Sequence, residues 1–324
     1  MVVKNNNKTY YNINNINDFQ DCLLDETKNN YNLENNYILR ANLNWNDIKQ
    51  ELRNPIKLFS GEFDGNNFQI SNFQMTNYQR NGLFSTTSKA TIKNLILNIN
   101  GKITGLDYVS ALVGYANETE ISNCKITGVV NVFSKGLYVG LYCGFSNSCT
   151  FTDNTIHLDN SVIRGNNSVG SFCGGILNSK VTKCIVTGTI SILGINSENN
   201  DEPPKIIGGL VGDTDNSEFY DSKVDYVGSV TGVRFVGGFV GVDYNSKFQL
   251  CNMELVGSVN GIEYINLFCG YTKDIAQFSS VFYKCKIDNK SKINDKLVDI
   301  RNIDDYAKIA NTSYFLTFKD STYP

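Results

Sequence analysis

A chain of 324 residues with net charge −3 and a pI near 5.4 carries its Lys and Arg scattered, which argues against nucleic acid or an anionic membrane as partner. Nine Cys without a Cys-x-x-Cys, and His157 as the one His, argue against zinc and leave a single His base with no evident partner. Hydrophobic content of 41% supplies a core, yet apolar runs such as Gly232 to Val242 are short and broken by Arg234, so no membrane insertion is expected.

In chain order, Met1-Val2-Val3-Lys4 leads straight into polar sequence, which predicts no secretory leader. Asn is abundant, at 45 residues, and densest in the first 46. Biased coding composition accounts for much of this, and the fitness of Asn for turns and left-handed backbone for the rest. From Ile16 to about Lys28, Ile16, Phe19, Leu23 and Leu24 recur at helical spacing, with Asn17 or Asp18 as the expected N-cap. Tyr37-Ile38-Leu39 reads as a strand, and Phe59 to Ile70 as two short strands about the Asp64-Gly65 turn.

Two phrases then alternate. The glycine phrase begins at Val109, Val139, Val169, Ile207, Val236 and Ile265, in steps of 30, 30, 38, 29 and 29. A polar insert around Asn196 to Pro204 explains the long step. The second phrase is typified by Ile121-Ser122-Asn123-Cys124-Lys125-Ile126, with Ile, Val or Phe first and Leu, Ile, Val or Met sixth. Its fourth position is mostly small, with Cys at 124, 184, 251 and 285.

A fixed period near 30 residues means stacked units that cannot bury an apolar face alone. The segments are short, β-branched and punctuated by Gly, so the predicted fold is all-β. It is a single-stranded, right-handed parallel β-helix of about seven rungs of ~30 residues. Glycines ending each phrase are expected at corners, where the backbone turns or takes positive φ. Residues 1–58 are expected to form an N-terminal cap, 59–290 the solenoid, and 291–324 a C-terminal cap with a short helix from Ile303 to Ala310. A propeller needs longer blades.

These residues resemble the GLUG-motif repeat family. Gly209-Leu210-Val211-Gly212 is the cleanest copy; Ala111 to Gly114, Leu141 to Gly144, Ser171 to Gly174 and Leu267 to Gly270 are drifted ones. Ile121 to Gly128 is similar to the phrase that accompanies the motif. Phe59 to Phe73 with Gly82-Leu83-Phe84 is similar to the segment that precedes it. The resemblance spans roughly residues 37–290. It implies a β-helical stalk or interaction surface of the kind found in bacterial surface and adhesin-like proteins, and hence a cell-surface or particle-surface setting. The polar start and the Cys in core-like columns depart from that setting.

The chemistry on offer is sparse. Gly-Gly-Leu-Val-Gly is not a phosphate loop, and no cofactor is expected. Cys143 and Cys173 share a column on successive rungs, where they are read as packed free thiols, with a bridge the alternative. Asp213, Asp215, Asp221, Asp225 and Asp243 fall on neighbouring rungs and offer carboxylate pairs of the kind that cleave glycosidic bonds. The Asn-Thr-Asp, Asp-Asp and Gly-His-Gly pattern of pectin hydrolases is absent, and Asp at solvent-facing turns is ordinary. Tyr220, Tyr226, Phe235 and Tyr244 gather in the last third, where half or more are expected to pack the core.

The sequence therefore predicts a non-enzymatic structural or adhesive module that binds a protein or glycan along a rung face, self-assembly included. The surface expected for it comprises Asp213, Asp215, Tyr220, Tyr226, Asp243 and Tyr244. The alternatives are a β-helix polysaccharide hydrolase or lyase using the Asp cluster, or a structural component of a large virus particle.

Overall fold

The computed structural model describes residues 2–5, 8–195, 205–272, 281–283, 285–287, 292–294 and 296–297. Strands make up 62% and helix 5%, which fixes the all-β class, and the chain winds into a parallel β-solenoid of about nine turns. The repeat alone predicts about seven. The difference lies at the N-terminal end, where Lys8–Ile13 pairs in parallel with Asn36–Leu39, and that strand with Glu62–Asp64. These turns carry no glycine phrase, so the period does not reveal them.

The turn beginning at Tyr138 shows the plan. The pair Tyr138–Val139 leads through Gly140, Leu141 and Tyr142 into Cys143–Asn147. A corner gives Thr150–Thr152, and a second corner gives Thr155–Gly165, which returns to Ser168–Val169 of the next turn. Strands equivalent to Cys143–Asn147 form an eight-stranded sheet, here the glycine sheet. Those equivalent to Thr150–Thr152 form an eleven-stranded short sheet, and the long strands with the two-residue strands form a sixteen-stranded long sheet. Register follows the sequence columns: Cys143 lies beside Val113 and Cys173, Cys173 beside Val211, Val211 beside Val240, and Val240 beside Cys269. Val169 pairs with Ile207 across the insert, so the long step does not shift the stack.

The glycines and the corners divide the work differently from the sequence expectation. Corners take left-handed backbone at non-glycine residues, including Ser148, Asn178, Asn216 and Asn245 before the short sheet and Asn94, Asn123, Asp153 and Asp221 after it. Asn and Asp hold most of them because a short polar side chain tolerates this backbone best after glycine. The last glycine of each phrase sits inside a strand instead. A Cβ on Gly174 would lie 2.5 Å from Val139 N and 2.6 Å from Gly144 O. One on Gly212 would lie 2.5 Å from Gly174 O and 2.7 Å from Val169 N. The two-residue strand of the preceding turn passes so close that only hydrogen fits.

Inside, Leu112, Tyr142, Phe172, Leu210, Phe239 and Phe268 form one buried column, and Ile121, Phe151, Val181, Phe219 and Phe248 another. Phe239 stacks on Phe268 at 4.6 Å and Phe219 on Phe248 at 4.8 Å. Each such side chain contributes roughly 1.5–3 kcal/mol. The corner interiors are polar ladders in which a backbone N–H donates to the side chain one turn on. Cys149 N reaches Ser179 Oγ at 2.9 Å, Ser179 N reaches Ser217 Oγ at 3.1 Å, and Cys124 N reaches Asn154 Oδ1 at 2.9 Å. The small fourth position of the second phrase is one of these ladders. All nine Cys are buried free thiols, Cys143 and Cys173 included, and burial followed by their mutual proximity holds the Cys143 thiol protonated.

The N-terminal helix spans Ile16–Leu23 and is capped by Asn15 rather than Asn17 or Asp18: Asn15 Oδ1 accepts from the N–H groups of Asn17 at 2.9 Å and Asp18 at 3.0 Å. It buries Phe19, Cys22 and Leu23, with Phe19 edge-on to Phe63 at 6.4 Å, and so covers the core of the first turns. The expected helix from Ile303 to Ala310 lies outside the described residues. Glu62 ties the first turns together, accepting from Lys8 Nζ at 2.6 Å, from Lys93 and from the Tyr10 hydroxyl. Burial alone would push its carboxyl up, but these donors outweigh it and hold the pKa at about 2.

Two measurements check this account. Gly212→Ala is expected to cost about 3 kcal/mol in urea unfolding, because backbone cannot yield as a side chain does. Asn178→Gly, at a corner, should stay within ~1 kcal/mol; equal effects would refute the contact role. Glu62 is held below its unfolded value of 4.5, so its contribution is present above that pH and is lost as pH falls towards about 2. Glu62→Gln should remove most of that acid-dependent loss from a pH series of melting temperatures.

Candidate functional site

Two outward columns run side by side along the solenoid. One is the residue before each glycine phrase: Tyr108, Tyr138, Ser168, Ile206, Phe235 and Tyr264. The other follows the last glycine of each phrase: Tyr115, Phe145, Gly175, Asp213, Val242 and Tyr271. At one end the rings form a ladder, with Tyr108 stacked on Tyr138 at 5.7 Å, Tyr115 on Phe145 at 5.8 Å, and Tyr138 against Phe145 at 4.9 Å. The Arg80 guanidinium lies 5.1 Å from the Tyr115 ring centre. At the other end Phe235 meets Tyr264 at 5.1 Å and Tyr271 at 5.2 Å, with Arg234 5.3 Å from the Phe235 ring centre.

Between the two clusters the ladder breaks. Gly175 lets the Tyr138 and Phe145 rings lean inward; a Cβ there would meet them at 2.7 and 2.8 Å. Asp213 follows in the same column, crowded on all sides yet not closed to solvent. Its carboxylate accepts a hydrogen bond from the Ser168 hydroxyl. Burial pushes its pKa up to about 6 against the lowering effect of Ser168 and its own backbone N–H, and the Asp215 charge adds to the rise. Burial and then the Asp213 charge also push the phenols of Tyr138 and Tyr244 up. Asp215 stands exposed two residues along the same strand and face, ~6.8 Å on. Tyr244 is beside Asp215 on the next turn.

Asp213, Asp215 and Tyr244 are therefore brought together, and the other expected surface residues are not. Tyr220, 38% exposed, lies on the short sheet in a groove of about 510 Å³ with Lys180, Thr182, Glu218, Lys247 and Gln249. Tyr226 and Asp243 are interior, at 2% and 0% exposure, which corrects the sequence reading. The cause is strand alternation. Asp243 pairs with Thr214, one residue out of phase with Asp213, so its side chain points inward. Tyr226 follows Val224 by two, shares its inward face, and carries its hydroxyl to the space beside Gly209.

His157 is exposed on the long sheet, its Nδ1 2.9 Å from Thr187 Oγ1 and far in sequence from the Asp cluster. Tyr108, Tyr115, Tyr138 and Phe145 join the candidate surface, and in the sequence only their fixed offset from the glycine phrase marks them. Among the described residues no group of three His, Cys, Asp or Glu converges on a metal-sized site, and no helix is long and apolar enough to cross a membrane.

No protein-family model matches the chain, and no curated protein matches it. A solved structure of an IgA1 protease is similar at 18% identity with a TM-score of 0.38, over 88% of this chain. The chain spans 19% of that structure's length.

The Asp213 carboxyl yields a direct test. The folded chain holds this proton more tightly than the unfolded chain, so stability falls as pH rises from 3.8 to about 6 and stays lower above it. Asp213→Asn keeps an acceptor for Ser168 and should gain on the order of 2–3 kcal/mol at pH ~7.5. The gain should shrink as pH falls through this range and vanish well below 3.8, where the carboxyl is protonated in the folded and the unfolded chain alike. A pH-independent difference in urea midpoints would contradict this.

Proposed function

We propose that the chain is a non-catalytic interaction module, a GLUG-like solenoid of a cell or particle surface, that binds a protein or glycan partner along the outer face of the glycine sheet. The observation that carries this reading is the broken ring ladder. Aromatic clusters flank a half-buried carboxylate, held from within by the buried Ser168 hydroxyl, at the one place where the columns lack rings. Ring walls supply apolar contact, and Asp213 supplies a fixed acceptor for hydroxyl or ammonium groups. The clusters spend most of their ring faces on one another, so new contacts concentrate at the break.

A second reading has a specific observation in its favour. Asp213, with its pKa near 6, and exposed Asp215 share one strand face, the arrangement from which a glycosidase draws an acid and its partner.

A glycan array and pull-downs with the intact chain test both. Binding should fall about tenfold in Asp213→Asn and Tyr244→Ala and stay unchanged in Tyr220→Ala, which changes a different sheet. Silence on both assays, or loss in Tyr220→Ala alone, would overturn the module reading. Reproducible polysaccharide turnover abolished by Asp213→Ala would establish the second reading in its place.

A further inference from the structure

A second polar site lies at the N-terminal end and shares no residue with the ring ladder. The short 3-10 turns Trp45–Asp47 and Gln50–Leu52 precede the long strand Gln69–Asn81, and the first of them packs against it. A cavity of about 300 Å³ opens there, with Gln50, Arg53, Gln74, Thr76 and Tyr78 around Trp45. Trp45 is fully buried, and its indole packs edge-on against Phe73 at 4.8 Å. Its Nε1–H is shut off from solvent and meets no acceptor in the protein. Indole N–H groups are donors only, and a buried one without an acceptor is rare enough to need a reason.

Arg53 supplies the second observation. Its Nε donates to Ile48 O at 3.0 Å and one Nη donates to Asn46 O at 2.6 Å. These bonds fix the plane of the guanidinium and leave the other Nη edge for a partner. Tyr78 spends its hydroxyl hydrogen on Asn54 Oδ1. The lining carries a cation and amide donors and no carboxylate. Donors outnumber acceptors, and the one charge is positive.

We propose that this cavity is a carboxylate-binding site. The remaining edge of Arg53 takes the two oxygens side by side, the geometry that a guanidinium fork matches best, and the seated ligand provides the acceptor that the Trp45 Nε1–H lacks. A uronic acid of a glycan and an acidic side chain or C-terminus of a protein present the same group.

Trp45 is the protein's one Trp, so its fluorescence reports on this site alone. The intact chain is titrated with sodium galacturonate, N-acetylglutamate, galactose and inorganic phosphate. A saturable change in Trp45 emission is expected with a carboxylate at concentrations below ~10 mM, and none with galactose. Saturation by galacturonate alone identifies a glycan acid as the source, and by N-acetylglutamate alone a protein acid. Arg53→Gln should weaken the response about tenfold. Because Arg53 also holds the turn, Thr76→Phe provides a second variant: it fills the cavity from the exposed strand and should abolish the response with circular dichroism unchanged. No saturation, equal response to galactose or phosphate, or a response that survives Thr76→Phe would overturn the proposal.

Discussion

The contact on which the rest depends is backbone against backbone, at the last glycine of each phrase. There a strand of the glycine sheet and the two-residue strand of the turn before come within 2.5–2.7 Å of where a Cβ would stand on Gly174 and Gly212. Such an approach closes the cross-section of each turn and fixes the register of the next, so 29-, 30- and 38-residue spacings all stack in step. Hydrophobic columns supply the bulk of the stabilisation, but they would tolerate a volume-conserving swap such as Leu for Ile. The glycine contact tolerates nothing larger than hydrogen.

The same contact builds the outer face. Residues immediately before and after the phrase are brought side by side by it, which is why Tyr138 meets Phe145 and Ser168 reaches Asp213. Stacking of like on like propagates rings up the columns until Gly175 and Asp213 interrupt them. A carboxylate in that position costs stability once ionised, and the apolar residues elsewhere in its column would avoid the cost. An acid placed where packing disfavours it is the feature on which the proposed recognition site rests, since stacking alone would not select it.

Much of this was legible in the sequence and some was not. The period, the two phrases and the Cys columns could be read because each position repeats. The two earliest turns could not, since Lys8–Ile13 and Asn36–Leu39 carry no phrase to align. The role of the phrase glycines is not legible, because Gly at a turn and Gly at a close approach look alike in sequence; only the neighbouring backbone distinguishes them. Asp213 and Asp243 differ by 30 residues, against a local step of 29, and that one-residue offset decides which acid faces the solvent. Trp45 shows the opposite limit: its burial follows from composition, but its lack of an acceptor depends on where Arg53 and Tyr78 point.

Hydroxyl-radical footprinting of the chain, with and without its captured ligand, tests the central claim most directly. With ligand bound, Tyr138, Phe145 and Tyr244 should lose reactivity while exposed Tyr220 and Tyr264 keep theirs. Protection centred on Tyr220, or spread evenly over all exposed rings, would contradict a site at the break in the ladder.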